Sequence, residues 1–162
     1  MQPKKLNRDE VLEGFKSGFK DDILDVFLKS PKRVYVEIKP SSIRRLTEHF
    51  IRTLGARFNI ASGLDARDHM EILYHFTIED ANCIFSLRVK LPKNKLEIDS
   101  ITPIFEGANW IEREITELLG IRFKGHPDMR KLLLPDEWPE GVYPLRRDYR
   151  EWDKGAIRDR GV

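Results

Sequence analysis

Residues 72–91 read ILYHFTIEDANCIFSLRVKL, and this stretch decides the predicted fold. Apolar residues occupy every second position from Ile72 to Ile78 and again from Cys83 to Leu91, which is typical of strands with one buried face. The four residues between them, 79–82, include Asp80 and Asn82, two residues of the types that favour turns. The stretch therefore predicts two strands joined as an antiparallel hairpin.

The residues on either side of the hairpin predict helices and more strands. In chain order we expect a helix capped by Asn7 and Glu10, a second short helix holding Ile23, Val26 and Phe27, a strand over Val34–Ile38, an amphipathic helix from Pro40 to Gly55, a strand from Phe58 that ends near Gly63, and a short strand over Leu96–Ile101. This order predicts an α+β domain, with a mainly antiparallel sheet and packed helices, at residues 1–105.

The character of the chain changes after Pro103. A helix is predicted from Trp110 to Leu119, with Gly120 as its stop. Beyond it, prolines and glycines recur with too little periodicity for a packed element, and long segments of this kind are commonly functional. Residues 106–162 are therefore predicted to form a C-terminal helix and an extended irregular tail that docks on a partner.

Composition excludes several classes of function. The 162 residues carry 29 basic and 27 acidic side chains, whereas a dedicated nucleic-acid-binding protein usually has a basic excess. Cys83 is the single cysteine, so the chain cannot form an internal disulfide or hold a cysteine-ligated iron–sulfur cluster; we expect it to be a small buried residue. No stretch has the length and apolarity of a signal peptide or a membrane span, so we expect a soluble protein that reaches a membrane only through partners.

Glu112, Arg113, Glu114 and Glu117 crowd the predicted C-terminal helix, and three interpretations fit them. A carboxylate metal site would normally need a second Glu-x-x-His pair, which the sequence lacks. The cluster could also be a solvated charged face. The third interpretation, which we favour, is an interface in which the carboxylates meet arginines of this chain or of a partner.

His126 and the PLRRDYR stretch at residues 144–150 complete the candidate residues. His126 has no evident nucleophile or acid to serve as a general base, so we expect a hydrogen-bonded histidine within a structured loop. The basic stretch could bind phosphate, but acidic residues surround it, and arginine forks suit protein carboxylates. Docking onto a protein is therefore favoured, and no motif for nucleotide binding or catalysis is found.

Residues 110–136, WIEREITELLGIRFKGHPDMRKLLLPD, resemble the 30-kDa subunit family of respiratory NADH dehydrogenase (complex I) and its hydrogenase relatives. The acids and arginine at 112–114, the acid at 117 and His126 fall at the spacing of the family, as do Arg130, Leu132 and Leu133. PLRRDY at residues 144–149 resembles the closing motif of the family.

The resemblance implies a non-catalytic, cofactor-free subunit that packs beside a large hydrogenase-like (49-kDa-type) subunit. Its complex would also contain an iron–sulfur subunit and membrane ion-translocating subunits, so iron–sulfur clusters, and a nickel–iron site if the complex is a hydrogenase, would belong to the partners. The subunit would lie peripherally on the cytoplasmic side of the cell membrane. The residues implied at or supporting the interface are Trp110, Glu112, Arg113, Glu114, Glu117, His126, Arg130, Arg146, Arg147, Asp148 and Tyr149.

Two local features favour one branch of the family. Position 117 is Glu, where complex I members more often have Asp, and the ELLG and WPEGVY segments look closer to the hydrogenase-linked branch. We therefore favour an energy-converting membrane-bound hydrogenase or a related ferredoxin-driven complex. The alternative is a 30-kDa-type subunit of an NADH:quinone oxidoreductase, and the remoter alternatives are an RNA-binding module and an independent oxidoreductase.

Overall fold

The computed structural model describes residues 6–150 and confirms the predicted α+β class. In chain order its elements are helix α1 (Arg8–Gly18), strands β1 (Ile23–Ser30) and β2 (Arg33–Ile38), a 3-10 turn (Pro40–Ser42), helix α2 (Ile43–Glu48) continued by a π-helical turn (His49–Thr53), strands β3 (Arg57–Asp65), β4 (His69–Ile78), β5 (Cys83–Pro92) and β6 (Glu97–Asp99), a second 3-10 turn (Glu106–Ala108), helix α3 (Asn109–Leu119) and strand β7 (Arg122–Lys124).

Five strands form one sheet in the order β1-β2-β5-β4-β3. The predicted hairpin is confirmed as β4 and β5, with Tyr74 opposite Leu87 and Phe76 opposite Phe85. Every neighbouring pair is antiparallel except β2 and β5, which are parallel. Like β2, each hairpin strand has a neighbouring strand on both sides, and both hairpin strands alternate buried apolar residues along their length.

The helices cover one face of the sheet through an aromatic cluster. Phe15 of α1 lies 5.2 Å, ring centre to ring centre, from Phe50, which in turn lies 5.0 Å from Phe76 of β4. All three side chains are buried. On the opposite face the strands carry ion pairs, such as that between Arg88 and Glu71, so this sheet has one apolar and one largely polar side. The buried Cys83 and the capping box of Asn7 and Glu10 are as predicted.

One predicted element is of the wrong type. Ile23, Val26 and Phe27 belong to strand β1 and not to a second helix. Irregular pairing near both ends of β1 interrupts its alternation, and as an edge strand it leaves Phe27 53% exposed, so the period of two is hidden in the sequence. Strand β3 also continues past Gly63 to Asp65. A side chain at Gly63 would come within 2.6 Å of Leu119, so glycine there permits close packing of α3.

A small parallel sheet of β6 and β7 joins the two predicted regions. Strand β7 lies in a segment predicted to be irregular, and its Phe123 is buried in the same core as the large sheet. The division near residue 105 remains a prediction about domains, and its outer limits fall outside the described residues. Within residues 6–150, none of the helices has the length and apolar character needed to cross a membrane.

Candidate partner-docking site

Helix α3 organises the candidate site. Its apolar residues Ile115 and Leu119 are buried on the core side. The helix ends, as predicted, at Gly120, whose φ of +73° is a left-handed conformation that favours glycine. The charged residues of α3 lie on its other sides, and their contacts determine how the tail, which we define as residues 126–150, is held.

Glu112 is fully buried under the loop that follows β6. Its carboxylate accepts hydrogen bonds from the Ser100 hydroxyl at 2.5 Å, the Ile101 amide at 2.7 Å and the Thr102 hydroxyl at 2.8 Å. Burial raises the pKa of Glu112, although these three donors act in the opposite direction. Glu112 therefore joins α3 to the loop at 100–102 and is not available to a partner.

His126 fixes the beginning of the tail. Its Nδ1 accepts a hydrogen bond from the Asp128 amide at 3.0 Å, and its Nε2 lies 3.1 Å from the Asn109 carbonyl oxygen. An Nδ1 that accepts has no proton, so the ring is neutral and its Nε2–H donates to Asn109. This confirms the expected hydrogen-bonded histidine in a structured loop.

Arg113 and Glu117 hold the next part of the tail, Arg113 as a hydrogen-bond donor and Glu117 as an acceptor. The Arg113 guanidinium donates to the carbonyl oxygens of Arg130 and Lys131, each at 2.8 Å. The Glu117 carboxylate accepts from the amides of residues 132–134, with distances of 2.8 Å to the Leu133 nitrogen and 3.4 Å to the Leu134 nitrogen, and a still closer contact to Leu132. We call these two side chains the backbone clamp, because their partners are main-chain groups.

The end of the tail returns to the C-terminus of α3. Arg146 donates from Nε to the Leu119 carbonyl oxygen at 2.8 Å, and its guanidinium lies 4.1 Å from the centre of the Tyr143 ring. The Leu145 amide donates to the Leu118 carbonyl oxygen at 3.1 Å. The last carbonyl groups of a helix lack hydrogen-bond donors within it. Arg146 and Leu145 supply donors to two of these groups in α3.

Asp65 of β3 ties the tail to the large sheet. Its carboxylate accepts from the Arg147 amide at 2.9 Å and pairs with the Lys93 ammonium at 2.7 Å. Burial acts to raise the pKa of Asp65, but Lys93 and the Arg147 amide outweigh it, so that the pKa lies below its ordinary value.

The tail is irregular in shape but well bonded within itself. The Lys131 ammonium donates to the carbonyl oxygens of Pro135, Asp136 and Trp138 at 2.8–3.2 Å. The Trp138 ring stacks on Tyr149, with 6.3 Å between their centres. An irregular segment that has its polar groups satisfied can keep one conformation.

Within residues 6–150, the predicted pairing of the α3 carboxylates with arginines is not seen for Glu112 or Glu117, and pairing of Glu117 with an arginine of a partner remains a prediction. Glu112, Arg113 and Glu117 bind hydroxyls and main-chain groups instead of opposite charges, and Glu112 and Arg113 are too buried to be a solvated face. The other residues predicted at the interface, apart from His126 with its buried side chain, are partly or largely exposed: Trp110, Glu114, Arg130, Arg146, Arg147, Asp148 and Tyr149. Their contact with a partner remains a prediction.

Sequence reasoning missed two sets of residues. Ser100, Thr102, Asp65 and Lys131 hold the site together through contacts that no periodic pattern marks. The second set is apolar and exposed: Met129 at 42%, Leu133 at 57% and Leu145 at 58%, beside Trp110 at 71%. Their signal was present in the sequence as leucines and methionine inside an otherwise polar tail. Across residues 6–150, no three His, Cys, Asp or Glu side chains come together in a way that could hold a metal ion.

Comparison with known proteins places this geometry among related chains. Residues 36–154 match the family model described as "Respiratory-chain NADH dehydrogenase, 30 Kd subunit". The chain is 32% identical over 154 residues to the C subunit of F(420)H(2) dehydrogenase from Methanosarcina mazei, covering 92% of this chain and 96% of that protein. It is 30% identical over 156 residues to formate hydrogenlyase subunit 5 of Escherichia coli, covering 94% of this chain but 27% of that protein.

Two solved structures share the fold. One is a trypsin-resistant fragment of Nqo5, with a TM-score of 0.60 and 23% identity, which covers 74% of this chain and 97% of the fragment. The other belongs to the membrane-bound sulfane sulfur reductase, an archaeal respiratory membrane complex, with a TM-score of 0.74 and 17% identity over 88% of this chain and 85% of that chain.

Proposed function

The chain belongs to the respiratory-chain NADH dehydrogenase 30-kDa subunit family, and from this premise we propose that it is a non-catalytic, cofactor-free subunit that docks on the large hydrogenase-like subunit of a membrane-bound, redox-driven ion-pumping complex. Its relatives are named as subunits of oxidoreductase complexes, and one similar structure is that of a respiratory membrane complex. Iron–sulfur and ion-translocating subunits would complete the complex, and this chain would lie on the cytoplasmic side.

The observation that carries the proposal is the exposure of large apolar side chains on a segment that is held rigidly. Met129, Leu133 and Leu145 project from the tail next to positions that α3 fixes by hydrogen bonds. Large apolar side chains that stay exposed on a fixed segment are candidates for a protein interaction surface. A surface fixed before binding loses less entropy when the partner arrives.

The lengths of the relatives support a large partner. This chain spans 96% of the Methanosarcina protein but 27% of the Escherichia coli protein. Among the relatives, the matching region is therefore either almost a whole chain or one part of a longer chain. This chain matches one part of the longer Escherichia coli relative. We therefore infer that it binds a separate protein that corresponds to the rest of that relative.

We favour the hydrogenase-linked or ferredoxin-driven branch over the NADH:quinone branch. The relatives matched over more than nine-tenths of this chain include formate hydrogenlyase subunit 5. The C/D subunit of the NADH-quinone oxidoreductase from Cronobacter sakazakii is 43% identical but over 54% of this chain. Resemblance along both the sheet and the tail supports the first branch.

The test is affinity capture of the tagged chain from native membranes, followed by mass spectrometry. We expect a large hydrogenase-like subunit together with iron–sulfur and membrane subunits. Leu133→Asp should reduce this recovery severalfold, whereas Leu28→Asp, at a similarly exposed leucine on the far edge of the sheet, should not. Recovery of the chain alone, or with RNA, would refute the proposal.

A further inference from the structure

A groove of about 220 Å³ runs between strand β3 and helix α3. Its lining combines polar surface, including Ser62 and Glu114, with the apolar side chains of Ile60, Ile111, Ile115, Leu118, Leu119 and Leu145. Two of these residues, Ile60 and Leu145, stand at the surface and are 49% and 58% exposed. The groove is therefore open to solvent and offers apolar surface to a second molecule.

Among residues 6–150, Glu114 is the one charged residue that lines this groove. Its side chain is half-buried, and within residues 6–150 it makes no hydrogen bond or ion pair. The other two acids of α3 behave differently, because Glu112 and Glu117 each accept several hydrogen bonds from this chain. Among the described residues, Glu114 is thus the carboxylate of α3 that has no partner of its own.

Covering this carboxylate with an apolar surface would be unfavourable. A carboxylate that loses water needs a hydrogen-bonding cation to offset the cost of desolvation. An apolar occupant alone would leave Glu114 charged, buried and unpaired. An occupant that carries an arginine or lysine would instead gain a charge-assisted hydrogen bond in a partly dry setting.

Both walls of the groove are fixed in place. Strand β3 is paired along its length with β4. Helix α3 is tied to the tail by Arg113 and Glu117, and Leu145 is held by the hydrogen bond that its amide donates to the Leu118 carbonyl oxygen. The groove is therefore formed before any partner binds, which favours affinity.

We propose that this groove receives a segment of the large subunit that presents one arginine or lysine among apolar side chains, with the cation placed on Glu114. The inference rests on the proposed docking function and specifies the chemistry of its partner. The apolar side chains of that segment would pack against Ile60 and Leu145, while its cation pairs with the carboxylate between them.

The test compares binding of variants to the purified large subunit of the same complex. We expect Glu114→Gln to raise the Kd by about 10- to 100-fold, as for a partly buried charge pair that loses one member. Glu114→Lys should raise it further. Glu106→Gln, at an exposed acid just before α3, should leave the Kd unchanged. The melting temperature of Glu114→Gln should match that of the parent chain, because no internal bond is lost.

Photo-crosslinking from position 60 identifies the occupant directly. The expected product is a peptide of the large subunit that contains arginine or lysine. A Kd unchanged in Glu114→Gln, or a crosslink to residues 151–162 of this same chain, would overturn the inference while leaving the docking function intact. Failure of the parent chain to bind the large subunit at all would instead refute the docking function itself.

Discussion

The five-stranded sheet and the tail of this protein are held by opposite means. In the sheet, main-chain groups pair with main-chain groups, and apolar side chains such as Phe76 and Leu87 are buried beneath the helices. In the tail, main-chain groups pair with charged side chains of α3, above all Arg113 and Glu117. Charged residues predicted at an interface therefore need not be contact residues, since here Arg113 and Glu117 hold the main chain of the tail in place.

The difference also predicts how each region fails. Removing a core side chain leaves a cavity that weakens the whole domain. Removing one end of the backbone clamp frees a surface segment, and such segments open locally without unfolding the rest. Substitutions in the two regions should therefore separate global stability from local order.

The largest effect is expected from Phe76→Ala in the sheet. Its ring is fully buried and contacts both Phe50 and Phe58, so its loss should lower the free energy of unfolding by about 3–5 kcal/mol. Urea denaturation measures this directly. Leu73→Ala, at a half-buried position on the other face of β4, should cost clearly less, and equal costs would contradict the account of a one-sided core.

Glu112→Ala should come next, because it removes a charged side chain that is part of the interior. Three donors, on Ser100, Ile101 and Thr102, would lose their acceptor, at a cost of about 3 kcal/mol in the free energy of unfolding. Glu112→Gln keeps the shape and one acceptor oxygen and should lose less. If Glu112→Ala leaves the free energy of unfolding unchanged, these hydrogen bonds do not contribute to stability.

The pH dependence of the free energy of unfolding should also show the contribution of Glu112. Burial raises the pKa of Glu112 in the folded state, so the folded protein binds this proton more tightly than the unfolded chain does. Its contribution to stability is then complete below the ordinary carboxyl pKa and declines as the pH rises towards the raised pKa. Stability curves of the parent and Glu112→Gln should diverge in that window, and parallel curves would refute the assignment.

Glu117→Ala should act locally, with a loss of about 1 kcal/mol or less in global stability. Releasing the amides of residues 132–134 should expose the bonds after Arg130 and Lys131, so trypsin should cut there several times faster while the sheet remains folded. Glu114→Ala is the matched control on the same helix, because its side chain bonds to nothing in residues 6–150. Similar cleavage of both variants would rule out the clamp.

The smallest effect is expected at Asp65. Its pKa is lowered in the folded state, so its tie to the Arg147 amide is present above the ordinary aspartate pKa and is lost as the pH falls through the depressed value. The protection factor of the Arg147 amide, which corrects for the pH dependence of intrinsic exchange, should fall across that range, and Asp65→Asn should lower it even at neutral pH. If neither the fall in pH nor Asp65→Asn changes the protection of the Arg147 amide, Asp65 does not hold this part of the tail.

The contrast also explains what could be predicted from the sequence. The hairpin of β4 and β5 and the end of α3 at Gly120 depend on local patterns, a period of two and a glycine stop, and both were correct. Strand β1 was mistaken for a helix because its irregular pairing breaks that period. The clamp joins residues 15–18 positions apart, and no periodic pattern encodes such a pairing. The family resemblance placed Arg113 and Glu117 at or supporting the partner interface, and it did not predict that they hold the main chain of the tail.

The neutral ring of His126 has a consequence for which sequences this position can accept. It uses one lone pair and one N–H at the same time, towards Asp128 and Asn109. Lysine and arginine offer donors only, and ionised acids offer acceptors only. Position 126 should therefore tolerate glutamine or asparagine better than any charged residue, so that selection here acts on the direction of hydrogen bonds and not on the ability to carry a proton.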